Sequence, residues 1–264
     1  MKMKIDISYR KNNHPKQIMD LFIPEGNANG RAIFFVHGGG WRSGSSEQWH
    51  KHAEYFCNKG YTCASAGYRL APDAKFPDLV EDVRLAMSVF RSRANELGFS
   101  ADRIAAQGSS AGGHLVAILA TMSENDSLGV SDELKIRDTR PNAVICYCPV
   151  LDLHEGSRDT ISGSILDLLG KRESDDDDLY KQASPVDRVL GYEPPFLFLH
   201  GDADEVVPHA QSIDMAEKLR NVGVEADVVI LPGVKHGFGY GVTSEAQRTS
   251  LQHAEAFLEK TLCA

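Results

Sequence analysis

The residues of this chain whose types and spacing could do chemistry gather first around Gly108-Ser109-Ser110-Ala111-Gly112, a Gly-x-Ser-x-Gly sequence between a short apolar run and a helical pattern. A strand that turns sharply into a helix leaves its central residue on a tight corner, and glycines on either side let the backbone close there. Gly108 and Gly112 supply that room. The Ser110 hydroxyl then points out of the top of the sheet, while the Ala111 N–H, at a helix N-terminus, faces any negative charge that develops beside it. Such a serine is a candidate nucleophile for acyl transfer. Taken alone, the same five residues also describe a plain Gly/Ser turn, so the assignment needs partners.

A neutral hydroxyl is a poor nucleophile. It needs a base, and the base needs a carboxylate to fix its tautomer and stabilise its cation. Val234-Lys235-His236-Gly237-Phe238 places His236 just after a strand-like run, and the segment from His200 to Pro208 holds two aspartates after another. Asp204, immediately ahead of the Val206-Val207-Pro208 turn into a helix, is the expected partner of His236; Asp202 competes for the role and otherwise caps or braces the turn. Serine, then aspartate, then histidine is the chain order of one serine-hydrolase architecture. His37-Gly38-Gly39-Gly40 supplies a last part. Glycines after a strand let backbone N–H groups turn inward, so Gly39 and Gly40 join Ala111 as expected oxyanion donors, each typically worth roughly a hundred- to thousandfold in rate.

These residues need elements to position them. Apolar runs at 32–36, 62–66, 104–107, 143–147, 196–199 and 226–230 read as buried strands, and helical patterns at 46–58, 77–97, 111–121, 209–222 and 244–262 lie between and after them. Alternating polar and apolar residues at 4–8 and 17–22 predict an antiparallel N-terminal hairpin. The alternation calls for an α/β fold: a mostly parallel central sheet with helices on both faces, and ligands at the carboxyl ends of the strands. With no repeats and no linker, residues 1–264 read as a single domain, with a small insertion over the active site at about 150–191, where the pattern breaks.

Composition narrows the partners. A net charge of -9 argues against nucleic acid and against an anionic membrane surface, since both need clustered Lys and Arg. Hydrophobic residues at 42% and charged residues at 25% are those of a soluble globular protein, and the apolar runs are too short to span a bilayer. Residues 1–10 carry lysines but no apolar secretory stretch, so a cytoplasmic location is expected. The five cysteines read as buried small apolar residues, with Cys146 and Cys148 on one face of a strand. Asp175 to Asp178 lack the glycine turn and spaced glutamate of a calcium loop and read as solvated surface. His37 and His200 are expected to brace their own turns, and His114 lies one turn into the helix after Ser110. Trp41 is expected to line the substrate cleft, whereas Trp49 fits cleft or core equally well.

HGGGW at 37–41, YRLAP at 68–72, GSSAGG at 108–113, HGDADEVVP at 200–208 and KHGF at 235–238 together resemble α/β-hydrolase fold serine esterases. The resemblance runs from about residue 17 to the C-terminus and points to the bacterial acetylxylan/feruloyl esterase branch, related to hormone-sensitive-lipase-like carboxylesterases. It implies a Ser110–Asp204–His236 triad and an acyl-enzyme intermediate, with no cofactor and no metal. The implied substrate is a small-molecule or oligosaccharide ester with a short acyl group, such as an acetyl or feruloyl ester of a carbohydrate. Two departures stand out. The hormone-sensitive-lipase branch has Asp where this chain has Ser109 and usually carries a helical cap ahead of HGGG, whereas only 36 residues precede His37, so an uncapped, open cleft is expected. An arylformamidase-like amidase or a peptidase would share these motifs; a ligand-binding relative without activity would be expected to break the array. With His236 near its ordinary pKa, activity should rise between roughly pH 6 and 7.

Overall fold

In the run Ala32–Val36 all five residues are buried, and successive side chains point to opposite faces of a strand, so both of its faces must be covered. The computed structural model, which describes residues 1–123, 125–155 and 161–263, places this run inside an eight-stranded sheet. Its strands are β1 (Lys2–Ser8), β2 (Ile18–Ile23), β3 (Ala32–Val36), β4 (Thr62–Ala66), β5 (Ile104–Ser109), β6 (Ala143–Tyr147), β7 (Phe196–Gly201) and β8 (Ala226–Leu231), in the spatial order β1-β2-β4-β3-β5-β6-β7-β8. β2 is antiparallel to both β1 and β4, so the N-terminal hairpin is present, and all neighbours from β4 across to β8 are parallel.

The helices are α1 (His50–Asn58), α2 (Asp78–Ser92), α3 (Ala94–Leu97), α4 (Ala111–Ala120), α5 (Ser162–Leu169), α6 (Asp177–Ala183), α7 (Ala210–Asn221) and α8 (Glu245–Leu262). On one face, Ala53 and Phe56 of α1 and Leu251, Ala254 and Phe257 of α8 share a buried cluster with Ile33, Phe35 and Ile145 of the sheet. The alternate strand residues Phe34, Val36 and Ala106 face the other way, into a cluster with Val83 of α2, Leu115 and Ile118 of α4, and Met215 and Leu219 of α7. Each large apolar side chain buried in this way contributes about 1.5–3 kcal/mol relative to leaving it exposed.

Three local expectations are corrected. The helix expected over 77–97 is broken: α2 stops at Ser92, whose hydroxyl turns back onto the Val89 carbonyl at 2.8 Å, and α3 is a separate turn closed by Gly98 at φ 78°. Cys146 and Cys148 do not share a face, because β6 ends at Tyr147 and Cys148, at φ 37°, swings into the opposite cluster. Cys263 is exposed rather than buried, and all five thiols are free. Trp49 belongs to the core, its indole N–H donating to the Val36 carbonyl at 2.8 Å.

In the region expected as an insertion, α5 brings Ser164 to the cleft beside Ser110 and α6 brings the Ala183 carbonyl to His114 of α4; residues 156–160 lie outside the described residues. The acidic run there does structural work. Asp176 accepts the Leu179 N–H at the start of α6 and pairs with Lys171 at 2.8 Å, and Asp177 pairs with Lys181. Among the described residues no helix is long and apolar enough to cross a membrane.

Candidate active site

In register, Gly108 of β5 lies beside Val36 of β3 on one side and Cys146 of β6 on the other, so the loops that follow these strands emerge together at one edge of the sheet. The turn after β5 is as tight as its glycines suggest. A Cβ on Gly108 would stand 2.2 Å from the carbonyl oxygen of Gly112, which no side chain survives. Between them Ser110 is held at φ 54°, ψ -119°, with its N–H donating to the Tyr147 carbonyl at 2.8 Å. A non-glycine residue in this region costs about 1–3 kcal/mol and persists only where surrounding contacts impose it.

Ser110 Oγ lies 3.0 Å from His236 Nε2, and His236 Nδ1 lies 2.7 Å from Asp204 Oδ2. With Nδ1–H donating to the carboxylate, Nε2 presents its lone pair to the serine hydroxyl. The Asp204 side chain is wholly buried, yet every part of it is satisfied. Oδ1 accepts the N–H groups of Val206 and Val207, both at 2.9 Å, and Oδ2 is also 3.2 Å from His200 Nε2. Asp202 does the other job considered for it, accepting the Gly233 N–H at 2.6 Å and bracing the turn after β8.

These contacts set the charges. Burial alone would raise the pKa of Asp204, but the hydrogen bonds from His200, His236 and the Val207 amide outweigh it and hold the carboxyl far below its ordinary value. Burial works against protonated His236, but the bond to Asp204 and the nearby Cys148 thiol more than offset it, so the imidazole is raised above its ordinary 6.5. His37 goes the other way. Burial pushes it down to about 4, and as a neutral ring it donates from Nδ1 to the Gly38 carbonyl at 2.8 Å and stacks on Tyr68.

The glycine loop after β3 is fixed by a residue that sequence reasoning missed. Gly38 N–H donates to Tyr240 Oη at 2.7 Å, which leaves the following amides, Gly39 and Gly40, as the loop's candidates for an oxyanion. Gly39, at φ 107°, has no room for a side chain, since its Cβ would meet the Ser43 carbonyl oxygen at 2.4 Å. Gly39, Gly40, Ser110, Ala111 and His236 line one cleft of about 490 Å³, with Val150, Ile161 and Ser164 contributed by the 150–191 segment. Tyr240→Phe is expected to leave the Gly38 N–H unpaired at a cost of about 1–3 kcal/mol. Steady-state kinetics should show this mainly as a fall in kcat of about tenfold or more, with KM little changed.

Trp41 borders the cleft as expected, but with most of its ring turned away from it. At φ 61° the residue is 1% exposed, with the indole N–H donating to His114 Nδ1 at 3.1 Å. His114 Nε2 in turn reaches the Ala183 carbonyl at 2.8 Å. Trp41 thus also acts as a strut joining the glycine loop, α4 and, through His114, the end of α6. His200 does brace its turn, through the Val207 carbonyl at 3.0 Å and Ser212 Oγ at 2.8 Å, and also touches Asp204. Neither that second contact nor the position of Cys148 beside His236 had a signal in the sequence.

A parallel sheet in this order, with a serine on the turn after β5, a carboxylate after β7 and an imidazole after β8, defines the α/β-hydrolase fold. The chain belongs to the BD-FAE family, whose family model matches residues 19–219; that of the dienelactone hydrolase family matches residues 180–261. Esterase LipC of Mycobacterium tuberculosis is 32% identical over 232 residues, which make up 85% of this chain and 57% of LipC. An acetylxylan esterase of Xylanibacter ruminicola is 30% identical over 230 residues, 86% of this chain and 44% of that protein. The chain therefore spans little more than half the length of LipC, and less of the acetylxylan esterase. Among solved structures, Thermogutta terrifontis esterase 2 phosphonylated by sarin is 28% identical with a TM-score of 0.82, covering 97% of this chain and 94% of that one. A truncated carbohydrate esterase from gut microbiota, 22% identical, shares the fold with a TM-score of 0.86 over 100% of this chain and 97% of its own.

Proposed function

We propose that this protein is a serine carboxylesterase acting on short-chain acyl esters of carbohydrates. The observation that carries the reading is the unbroken line Ser110 Oγ, His236 Nε2, His236 Nδ1, Asp204 Oδ2, opening on a cleft that the glycine loop also lines. His236 takes the hydroxyl proton as Ser110 attacks the ester carbonyl, and the oxyanion faces the amides of Gly39, Gly40 and Ala111. The alcohol leaves with the proton from His236. Water then repeats the sequence on the acyl-enzyme and releases the acid.

The substrate class rests on two supports: the name of the acetylxylan esterase relative, and the shape of the site. Gly40 lies close to Ser164 of α5, a Cβ there falling 3.3 Å from Ser164 Oγ, so the glycine loop and the insertion approach each other closely beside the site. A small acyl group fits such a wall, and a bulky polar alcohol suits the open side. With p-nitrophenyl esters of increasing chain length, turnover should be greatest at acetate to butyrate and fall steeply beyond; best turnover at octanoate or longer would contradict the proposal. Acetylated xylo-oligosaccharides should release acetate, measured by an enzyme-coupled assay.

A further inference from the structure

Behind the His236 ring a third chemistry-bearing group approaches that the proposed mechanism does not use. Cys148, Asp204 and His236 each offer one ligand atom, and the three atoms lie within 4.8 Å of one another. They arrive on the segments after β6, β7 and β8. The positive φ of Cys148 takes its side chain out of the alternation of β6 and sets Sγ 3.7 Å from Ser109 Oγ, next to the nucleophile's own turn. Thiolate, imidazole and carboxylate are the donor set of thiophilic divalent cations, above all zinc.

We propose that these three side chains form an inhibitory site for a divalent cation of the zinc class. Metal–ligand bonds of about 2.0–2.3 Å put neighbouring donors of a tetrahedral ion roughly 3.3–3.8 Å apart, so atoms already within 4.8 Å of one another need only shifts on the order of 1 Å. The 2.7 Å contact between Asp204 and His236 opens to admit the ion. Access is from the cleft, where the His236 side chain is 20% exposed. Asp204 already has its outer contacts in the Val206 and Val207 amides and His200, which orient it as a ligand's supporting contacts do. Cys146 cannot join, since it faces the opposite side of the sheet.

The balance is simple. Binding replaces the S–H bond of Cys148 with a sulfur–metal bond and releases that proton to solvent, and a protonated His236 ring releases one more and binds as neutral imidazole. If the ion takes Nε2, it consumes the lone pair that faces Ser110. If it takes Nδ1, the ring proton moves to Nε2, with the same result. Either way the base is lost without displacement of the serine.

The site stands on the cluster alone; the inhibition rests on the proposed role of His236, and the experiment separates the two. In a Cys263→Ser background, which removes the exposed thiol, cobalt(II) titration should give a thiolate-to-cobalt charge-transfer absorption saturating at one ion per chain, and zinc should inhibit p-nitrophenyl acetate hydrolysis. Cys148→Ala should abolish the absorption and raise the half-inhibiting zinc concentration at least about tenfold, each variant being normalised to its own metal-free rate. Cys148→Ser, closer in shape, should behave in the same way, and thermal melts identify a variant that does not fold. No absorption in the parent, or an absorption that survives in both folded Cys148 variants, overturns the site. A Cys148-dependent absorption with zinc-insensitive turnover upholds the site and overturns His236 as the base.

Discussion

Ser110→Ala is expected to lower kcat for p-nitrophenyl acetate by roughly 10⁴- to 10⁶-fold while leaving KM within a few-fold of the parent. The size of the loss follows from how the group works. In the proposed mechanism the hydroxyl, the imidazole 3.0 Å away and the carboxylate behind it act as a unit, so removing the nucleophile removes the use of the other two. The oxyanion donors and the cleft remain, and they set the residual rate. The substitution takes away one oxygen at a corner whose backbone is fixed by other bonds, among them Ser110 N–H to Tyr147 and His114 N–H to the Ser110 carbonyl, so the fold should persist. A fluorophosphonate probe should label the parent at Ser110 and fail on the variant. Near-parental turnover by the variant would end the assignment.

Asp204→Asn should be almost as damaging, with kcat down by about 10⁴-fold, and for an instructive reason. The Val206 and Val207 amides demand an acceptor where Oδ1 now lies, so the asparagine carbonyl must take that position and its NH₂ must face the two histidines. An NH₂ opposite His236 Nδ1 forces the ring proton onto Nε2, and the lone pair no longer meets Ser110. The pH profile carries a second signature. The proposed mechanism needs neutral His236, and because the Asp204 bond raises that group above 6.5, the rising limb of kcat/KM should lie at higher pH than an ordinary histidine would place it. The sequence-based window of roughly pH 6 to 7 is corrected upward. In the asparagine variant the principal raising contact is gone, and the limb of the residual activity should move down in pH. A limb unmoved by the substitution would show that Asp204 does not set the protonation of the base. The same linkage bears on stability. Asp204, held low, favours the fold above the ordinary carboxylate pKa and loses that contribution as pH falls; His236, held high, favours it below 6.5 and loses it as pH rises through the raised value.

The candidate array was legible because its parts are local. A continuous apolar run announces a central strand, a Gly-x-Ser-x-Gly sequence announces the turn that ends one, and a loop after a strand announces its own position at the carboxyl edge. Ser110, Asp204, His236 and the glycine loop could each be read from about ten neighbouring residues. What could not be read depends on a single dihedral or on a distant partner. Trp41 and Cys148 both take positive φ, which reverses where a side chain points and leaves no mark in composition. Ser92 could not be seen to end α2, because serine is admissible in a helix until its hydroxyl finds a carbonyl. Tyr240 is one aromatic in a glycine-rich segment until its hydroxyl meets an amide 202 residues earlier.

That last separation, with the sequence separation of 126 between Ser110 and His236, means that the proposed reactive centre has no local precursor. Closing loops of this length gains nothing until both ends are in place, so contacts of high sequence separation form late relative to helices and neighbouring strands. On the proposed mechanism, a chain growing from its N-terminus would hold its nucleophile and glycine loop long before it holds a base, and reactivity toward esters should switch on only when β8 and the segment beyond it join the sheet. Hydrolysis by a refolding sample should then time the final assembly of the molecule rather than its collapse.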